Sequence, residues 1–147
     1  MDAAKAAGLR IGIETLVLEV RATEDYEAAF ESLGNERRTG IVQLGSPALV
    51  NPPNRFGDAA LKHRLPTNSF QKNLAMAGTL MAYGPDLESY FPLAVILADK
   101  ILNGAKPDEL PIERPDRFQL IINLKTAKAL DLTIPPSLLA RADEMID

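Results

Sequence analysis

The stretch that most constrains the fold is residues 80–87, an apolar run that ends in Tyr83-Gly84-Pro85-Asp86 and leads into the apolar-rich residues 90–102. The run has the composition of a strand, and Gly84 and Pro85 fit the N-cap and first position of a following helix. The sequence therefore predicts a strand whose carboxyl end meets a helix N-terminus. In open α/β sheets, small ligands bind in the crevice outside the carboxyl ends of strands.

A helix N-terminus in such a crevice offers unpaired N–H groups and a partial positive charge, which suit a ligand carboxylate. Asp86 is predicted in the first turn of that helix, where it can also meet a ligand ammonium. The alternative is that Asp86 only stabilises the helix, because acidic residues are common in first turns.

Further strand-like runs alternate with helical segments along the chain; most are apolar, and the one at residues 67–70 is short and rather polar. Strands are predicted at residues 15–20, 40–44, 67–70, 79–83 and 117–123, and helices between them at residues 23–38, 54–64, 71–77 and 86–102. Strands and helices that alternate at this spacing indicate a parallel sheet with right-handed crossovers. The predicted fold class is α/β, a three-layer open parallel sheet flanked by helices.

Two residues set the expected limits of the helices. Gly8 is predicted to stop a helix over residues 2–8. Pro92 lies inside the predicted helix over residues 86–102, where a proline costs about 3 kcal/mol. That helix is therefore expected to kink at Phe91-Pro92 or to begin its regular part later.

The tail of the chain is predicted to end in short helices. After a helix over residues 124–130, a final amphipathic helix is expected to reach Ile146. Its apolar residues are Leu138, Leu139, Ala142, Met145 and Ile146. Because this face has no obvious partner, we expect a homo-oligomer through the C-terminal tail, with residues 118–122 or the final helix in the interface.

Composition excludes several classes of protein. With 147 residues and 46% apolar content, one domain is expected. A net charge of −4 with scattered cations gives no footprint for nucleic acid. No apolar run reaches the roughly 20 residues of a membrane helix, and the N-terminus lacks an export signal, so the chain as written would stay in the cytoplasm.

The residues give little support to enzyme chemistry. The chain has no cysteine and one histidine, His63, which lies among cations at a predicted helix end. A metal cluster and a catalytic histidine are therefore not expected. Ser46 follows a strand, but Pro47 has no N–H to donate to an oxyanion, so Ser46 is interpreted as a ligand-binding residue or a cap.

Several segments together resemble a known family. They are residues 80–86, 99–107, 110–113, 118–130 and 133–144, with looser matches at residues 18–21 and 62–66. The chain resembles the C-terminal lobe of ABC transporter substrate-binding proteins of the tryptophan/tyrosine-type group, from Ala3 to the end.

The resemblance implies one lobe of a type I periplasmic binding protein, which binds an amino acid or related metabolite for a membrane permease and does no chemistry. Residues 1–115 would form the ligand-binding lobe, and residues 116–147 a tail that crosses the hinge. No cofactor or metal is implied, and the family's location is periplasmic or extracellular. By that pattern the ligand-binding residues are Ser46, Pro47, Ser69, Phe70, Tyr83, Gly84 and Asp86.

Two other functions remain open at this point. The same fold serves as the effector lobe of some transcription regulators, although no helix-turn-helix precedes the lobe here. The other alternative is a truncated remnant that only self-associates.

Overall fold

The computed structural model describes residues 2–33, 39–45 and 51–147. Its helices are α1 (Asp2–Arg10), α2 (Tyr26–Glu31), α3 (Asn54–Lys62), α4 (Lys72–Met76), α5 (Tyr90–Leu102), α6 (Leu124–Ala129) and α7 (Pro136–Leu139). Its strands are β1 (Ile41–Val42), β2 (Thr67–Ser69), β3 (Met81–Pro85), β4 (Phe118–Asn123) and β5 (Glu144–Ile146). Three short 3-10 helices, Thr23–Asp25, Leu87–Ser89 and Pro107–Glu109, complete the described elements.

The five strands form one sheet in the order β1-β2-β3-β4-β5. The pairs β1/β2, β2/β3 and β4/β5 are parallel, whereas β3 and β4 are antiparallel. The predicted α/β class with a mostly parallel sheet is confirmed. The antiparallel pair was not predicted, and it brings the start of β4 to the edge where β1, β2 and β3 end.

One cluster of aromatic side chains joins α2 to α3. Tyr26, Phe30 and Phe56 are buried, with ring centroids 5.2 Å apart for Tyr26 and Phe56 and 5.8 Å apart for Phe30 and Phe56. Ala59, Ala60 and Leu65 complete this cluster, and Leu18, Val20 and Ile41 pack against it. We call these buried residues the aromatic cluster.

A second cluster joins the tail to the rest of the sheet. Ala75 of α4 packs with the cross-strand pair Ala82 and Ile121, and Ile146 of β5 packs against them. Asn123 strengthens this junction, since its side chain donates to the Ala75 carbonyl at 2.8 Å and accepts from the Thr126 N–H at 2.9 Å. The tail residues therefore share the core of the sheet, while their proposed role at a hinge stays a prediction.

Three predicted elements are wrong in detail. Residues 15–20 form no strand, because no described backbone pairs with them. Helix α1 continues past Gly8 and ends before Gly12, whose positive φ of 72° provides the stop instead. The expected final helix is only α7, and residues 144–146 form β5 because they find a ladder partner in β4.

The helix that follows β3 begins later than predicted. Gly84 and Pro85 belong to β3, and the chain then forms the 3-10 helix Leu87–Ser89 with Asp86 as its N-cap. Because α5 starts at Tyr90, Pro92 lies in its first turn, where backbone N–H groups have no helical acceptor to lose. The second alternative for Pro92 is therefore confirmed.

The apolar run in β4 is internal to the sheet. Leu120, Ile121 and Ile122 are buried, and β4 is paired on both sides. Residues 120–122 therefore do not present a free strand edge to a second copy. By contrast, α5 has no buried residue, and Phe91, Val95 and Leu102 are exposed along it.

The aromatic cluster should dominate stability. Phe56 is 2% exposed, and we expect Phe56→Ala to lower the free energy of unfolding by about 3–5 kcal/mol, because it removes a ring that contacts two others. Urea unfolding measures the loss. The matched control is Phe91→Ala, which removes a ring that is 69% exposed and should change stability by less than about 0.5 kcal/mol. Equal losses for the two variants would contradict this description of the core.

Candidate ligand site at the strand ends

The sheet topology collects polar and aromatic residues at one edge. The carboxyl ends of β1, β2 and β3 lie at this edge, and the first residues of β4 and β5 lie there too, because β4 is antiparallel to β3. We call it the ligand edge. It includes residues from sequence positions as distant as Gly45 and Glu144.

Gly84 brings the backbone after β2 into contact with β3. A Cβ atom at Gly84 would lie 2.8 Å from the carbonyl carbon of Phe70 and closer still to its oxygen. The Phe70 ring reaches the end of the β1 segment, since a Cβ at Gly45 would lie 3.1 Å from its Cζ atom. The predicted site residues Phe70 and Gly84 are therefore in direct contact. This contact is possible only because residue 84 has no side chain.

Tyr83 forms an aromatic pair that the sequence did not reveal. Its ring stacks on Phe118 with centroids 5.9 Å apart and planes inclined by 29°. Tyr83 is 57% exposed and Phe118 50% exposed, so both rings retain free surface. Exposed aromatic faces can stack on a planar or apolar ligand group.

Asp86 lies at the same edge but differs from its predicted place. Its backbone N–H donates to the Arg117 carbonyl at 3.0 Å, and its own carbonyl accepts from the Ser89 hydroxyl at 2.7 Å. These bonds fix the backbone between β3 and α5. The carboxylate is therefore at an N-cap, one residue before the helical turn in which it was expected.

Ser69 faces the interior instead of the edge. It is fully buried, with its hydroxyl 3.2 Å from the Thr79 hydroxyl and 3.3 Å from the Met81 carbonyl. Through these contacts the Ser69 side chain links β2 to β3. Ser46 and Pro47 lie outside the described residues.

A cavity of about 370 Å³ opens at the ligand edge beside the aromatic pair. It is lined by Lys72, Asp116, Arg117, Phe118, Gln119, Asp143 and Glu144. None of these residues was predicted to bind ligand, because they come together only when β4 pairs antiparallel to β3. A second cavity of about 430 Å³ lies beyond the other end of β4, among residues 124–139.

Two contacts hold β5 at the cavity. Lys72 Nζ lies 2.6 Å from Glu144 Oε2, and the Leu120 N–H donates to Asp143 Oδ2 at 2.7 Å. The hydrogen bond to Glu144 raises the pKa of Lys72, and the charges of Glu88 and Asp86 act in the same direction. Lys72 is therefore a cation surrounded by carboxylates at this edge.

Among the described residues, no group of three His, Asp or Glu side chains is arranged to hold a metal ion. No helix in the described part of the chain is both long and apolar enough to cross a membrane.

Close packing at Gly84 generates a test. We expect Gly84→Ala to destabilise the protein by about 2 kcal/mol or more, because the added methyl group meets the Phe70 backbone, which cannot rotate away. The control is Gly40→Ala, where the nearest atom would lie at an ordinary 3.6 Å and the effect should be near zero. Thermal unfolding of both variants compares them. Tolerance of alanine at residue 84 would show that Phe70 is not held as described.

The chain matches a known protein family. Residues 1–146 match the family described as ABC transporter substrate binding protein. The chain has no match among curated proteins.

Three solved structures share the fold. The chain is similar to a conserved domain protein from Vibrio cholerae O1 biovar El Tor strain N16961, with a TM-score of 0.88, 20% identity and coverage of 99% of this chain and 49% of the other. It is similar to an ABC domain from Streptococcus pneumoniae in complex with L-Trp, with a TM-score of 0.86, 19% identity and coverage of 99% and 50%. It is also similar to the ligand-free, open structure of CD0873, a substrate binding protein with adhesive properties from Clostridium difficile. The TM-score is 0.65 and the identity 18%, with coverage of 99% of this chain and 48% of the other.

The chain thus spans about half the length of each of these structures. Both the family match over nearly the whole chain and the α/β sheet agree with the resemblance noted in the sequence. The chain belongs to the ABC transporter substrate binding protein family.

Proposed function

We propose that the chain is a solute-binding component of an ABC import system, and that it binds a small organic ligand, an amino acid or related metabolite, at the ligand edge. The observation that carries the proposal is the half-exposed stacked pair Tyr83 and Phe118 beside a cavity with charged walls. Ligand pockets commonly combine such apolar surfaces with a few polar groups that orient the ligand. The complex of the Streptococcus pneumoniae domain with L-Trp supports this choice of ligand class.

The charged groups of the edge suit a zwitterion. Arg117 lines the cavity and can bind a carboxylate, while Asp116 also lines it and can bind an ammonium. Asp86 adds a second carboxylate close to the aromatic pair through its backbone bond to Arg117. Of the predicted residues, Phe70, Tyr83, Gly84 and Asp86 therefore remain in the proposed site; Ser46 and Pro47 stay a prediction from the family pattern.

The proposed mechanism is domain closure. In a two-lobed binding protein, a ligand that contacts both lobes stabilises the closed state by its differential affinity for that state. This chain supplies one set of contacts, and delivery to a membrane permease in the periplasm or outside the cell is the role proposed for the complete binding protein.

Ligand binding is tested by calorimetry with L-Trp, with glycine as a ligand that lacks a side chain. We expect L-Trp to bind with a dissociation constant weaker than about 1 μM, because one lobe gives only part of the contacts and cannot exclude water. Tyr83→Ala should weaken L-Trp binding at least about tenfold, since it removes one stacking surface. Phe91→Ala, which removes an exposed ring on α5, should leave binding unchanged. Equal affinities for wild type and Tyr83→Ala would count against the site.

Self-association through the C-terminal tail is a separate proposal, and burial of Leu120–Ile122 leaves it with weak support. The exposed apolar residues of α5 are a better reason for association than the tail. Light scattering at micromolar concentration decides between the two. If the tail is the interface, Met145→Lys lowers the molecular mass of the particle in solution. If α5 is the interface, Val95→Lys lowers that mass and Met145→Lys leaves it unchanged.

A further inference from the structure

The described residues at the ligand edge include more carboxylates than cations. The carboxylates belong to Asp86, Glu88, Asp116, Asp143 and Glu144, and the cations are Lys72 and Arg117. All but two of these residues line the cavity, and the charges of those two, Asp86 and Glu88, act on Lys72 at the cavity wall. The edge therefore carries an excess of negative charge before any ligand binds.

Only some of these carboxylates have a partner within the chain. Glu144 is paired with Lys72, and Asp143 accepts a backbone N–H from β4. In the part of the chain that the structure describes, the other carboxylates of the edge form no ion pair; they are Asp86, Glu88 and Asp116. A cationic group on the ligand would supply the counter-charge that they lack.

Two titratable groups respond to this negative charge. The pKa of Lys72 is raised first by the hydrogen bond to its ion-pair partner, and the charges of Glu88 and Asp86 raise it further. At the first residue of α5, burial raises the pKa of Tyr90, and the charge of Asp116 adds to that effect. In both cases the neighbouring carboxylates favour the protonated group. The negative charge therefore extends from the cavity wall to the start of α5.

The unpaired carboxylates lie beside the aromatic pair. Asp86 follows Tyr83 after two residues, and its N–H donates to the carbonyl of Arg117, the residue before Phe118. Both rings of the pair are about half exposed. The face of an aromatic ring attracts a cation, and a planar guanidinium can also stack on it. A cationic group at this place would meet an apolar ring face and a counter-charge together.

We propose that the ligand of this edge is an amino acid with a cationic side group, which stacks on the aromatic pair and faces Asp86 and Glu88. This inference rests on the function proposed above and narrows its ligand class. Arg117 and Asp116 bind the carboxylate and the ammonium that every amino acid has, as in that proposal. The remaining unpaired carboxylates then select the charge of the side group.

Calorimetry of the full chain with L-arginine and with L-citrulline tests the proposal, because these ligands have similar shapes and differ in the positive charge of the side group. We expect L-arginine to bind at least about tenfold more tightly at low ionic strength, since ion pairing and stacking both favour the guanidinium. In about 1 M salt, where the Debye length is about 3 Å, the preference should fall below about threefold. Equal affinities at low ionic strength would overturn the proposal.

A pair of variants tests whether the preference arises at this edge. Glu88→Gln removes an unpaired carboxylate and should lower the ratio of the two affinities by about threefold, whereas general damage to the fold would weaken both ligands alike. The control is Asp131→Asn, which removes the same charge at the second cavity, beyond the other end of β4. Asparagine tolerates the positive φ of 58° at this position, so the ratio should stay unchanged. An unchanged ratio in Glu88→Gln, or an equal fall in both variants, contradicts the proposal.

The same measurements separate this inference from the function on which it rests. If L-Trp binds and Tyr83→Ala weakens that binding, while L-arginine has no advantage over L-citrulline, the ligand site is correct and the charge selection is wrong. If none of these amino acids binds, both proposals are wrong.

Discussion

Strand β3 carries the constraint on which the ligand edge depends, because it is paired on both sides and in two directions. Its parallel pairing with β2 requires Gly84, whose bare backbone lets Phe70 pass at contact distance. Its antiparallel pairing with β4 places Phe118 beside Tyr83. One strand therefore determines where three aromatic rings lie, although they come from separate parts of the sequence.

Local patterns in the sequence were sufficient to locate most elements of the fold. Apolar runs placed β1, β3 and β4 within a few residues, and turn residues placed the helices between the strands. Residues 15–20 have the same composition and still form no strand. Side-chain composition reports the tendency to enter a sheet, but hydrogen-bonded pairing also needs a neighbouring backbone, and no local pattern contains that information.

The sequence predicted the site residues that lie at the ends of strands. It did not predict those that reach the site because β4 pairs antiparallel to β3. Tyr83 and Gly84 follow from the rule that ligands bind outside the carboxyl ends of strands. Phe70 was predicted only by the resemblance to the family. Lys72, Arg117 and Phe118 reach the same edge only because β4 runs against β3. Ser69 was predicted at the edge because it ends a strand. The alternation of side chains along that strand instead directs its hydroxyl to Thr79 in the interior.

The order of pairing in the sheet has a consequence for how the chain reaches its native state. Strands β2 and β3 are joined through α4 by a short connection, so they can meet at small entropic cost. The contact of β3 with β4 must close a much longer loop that contains α5 and three prolines in the following connector. We therefore expect the β2-α4-β3 unit to assemble early and β4 to dock late, so that the ligand edge is completed only in the last stage of folding.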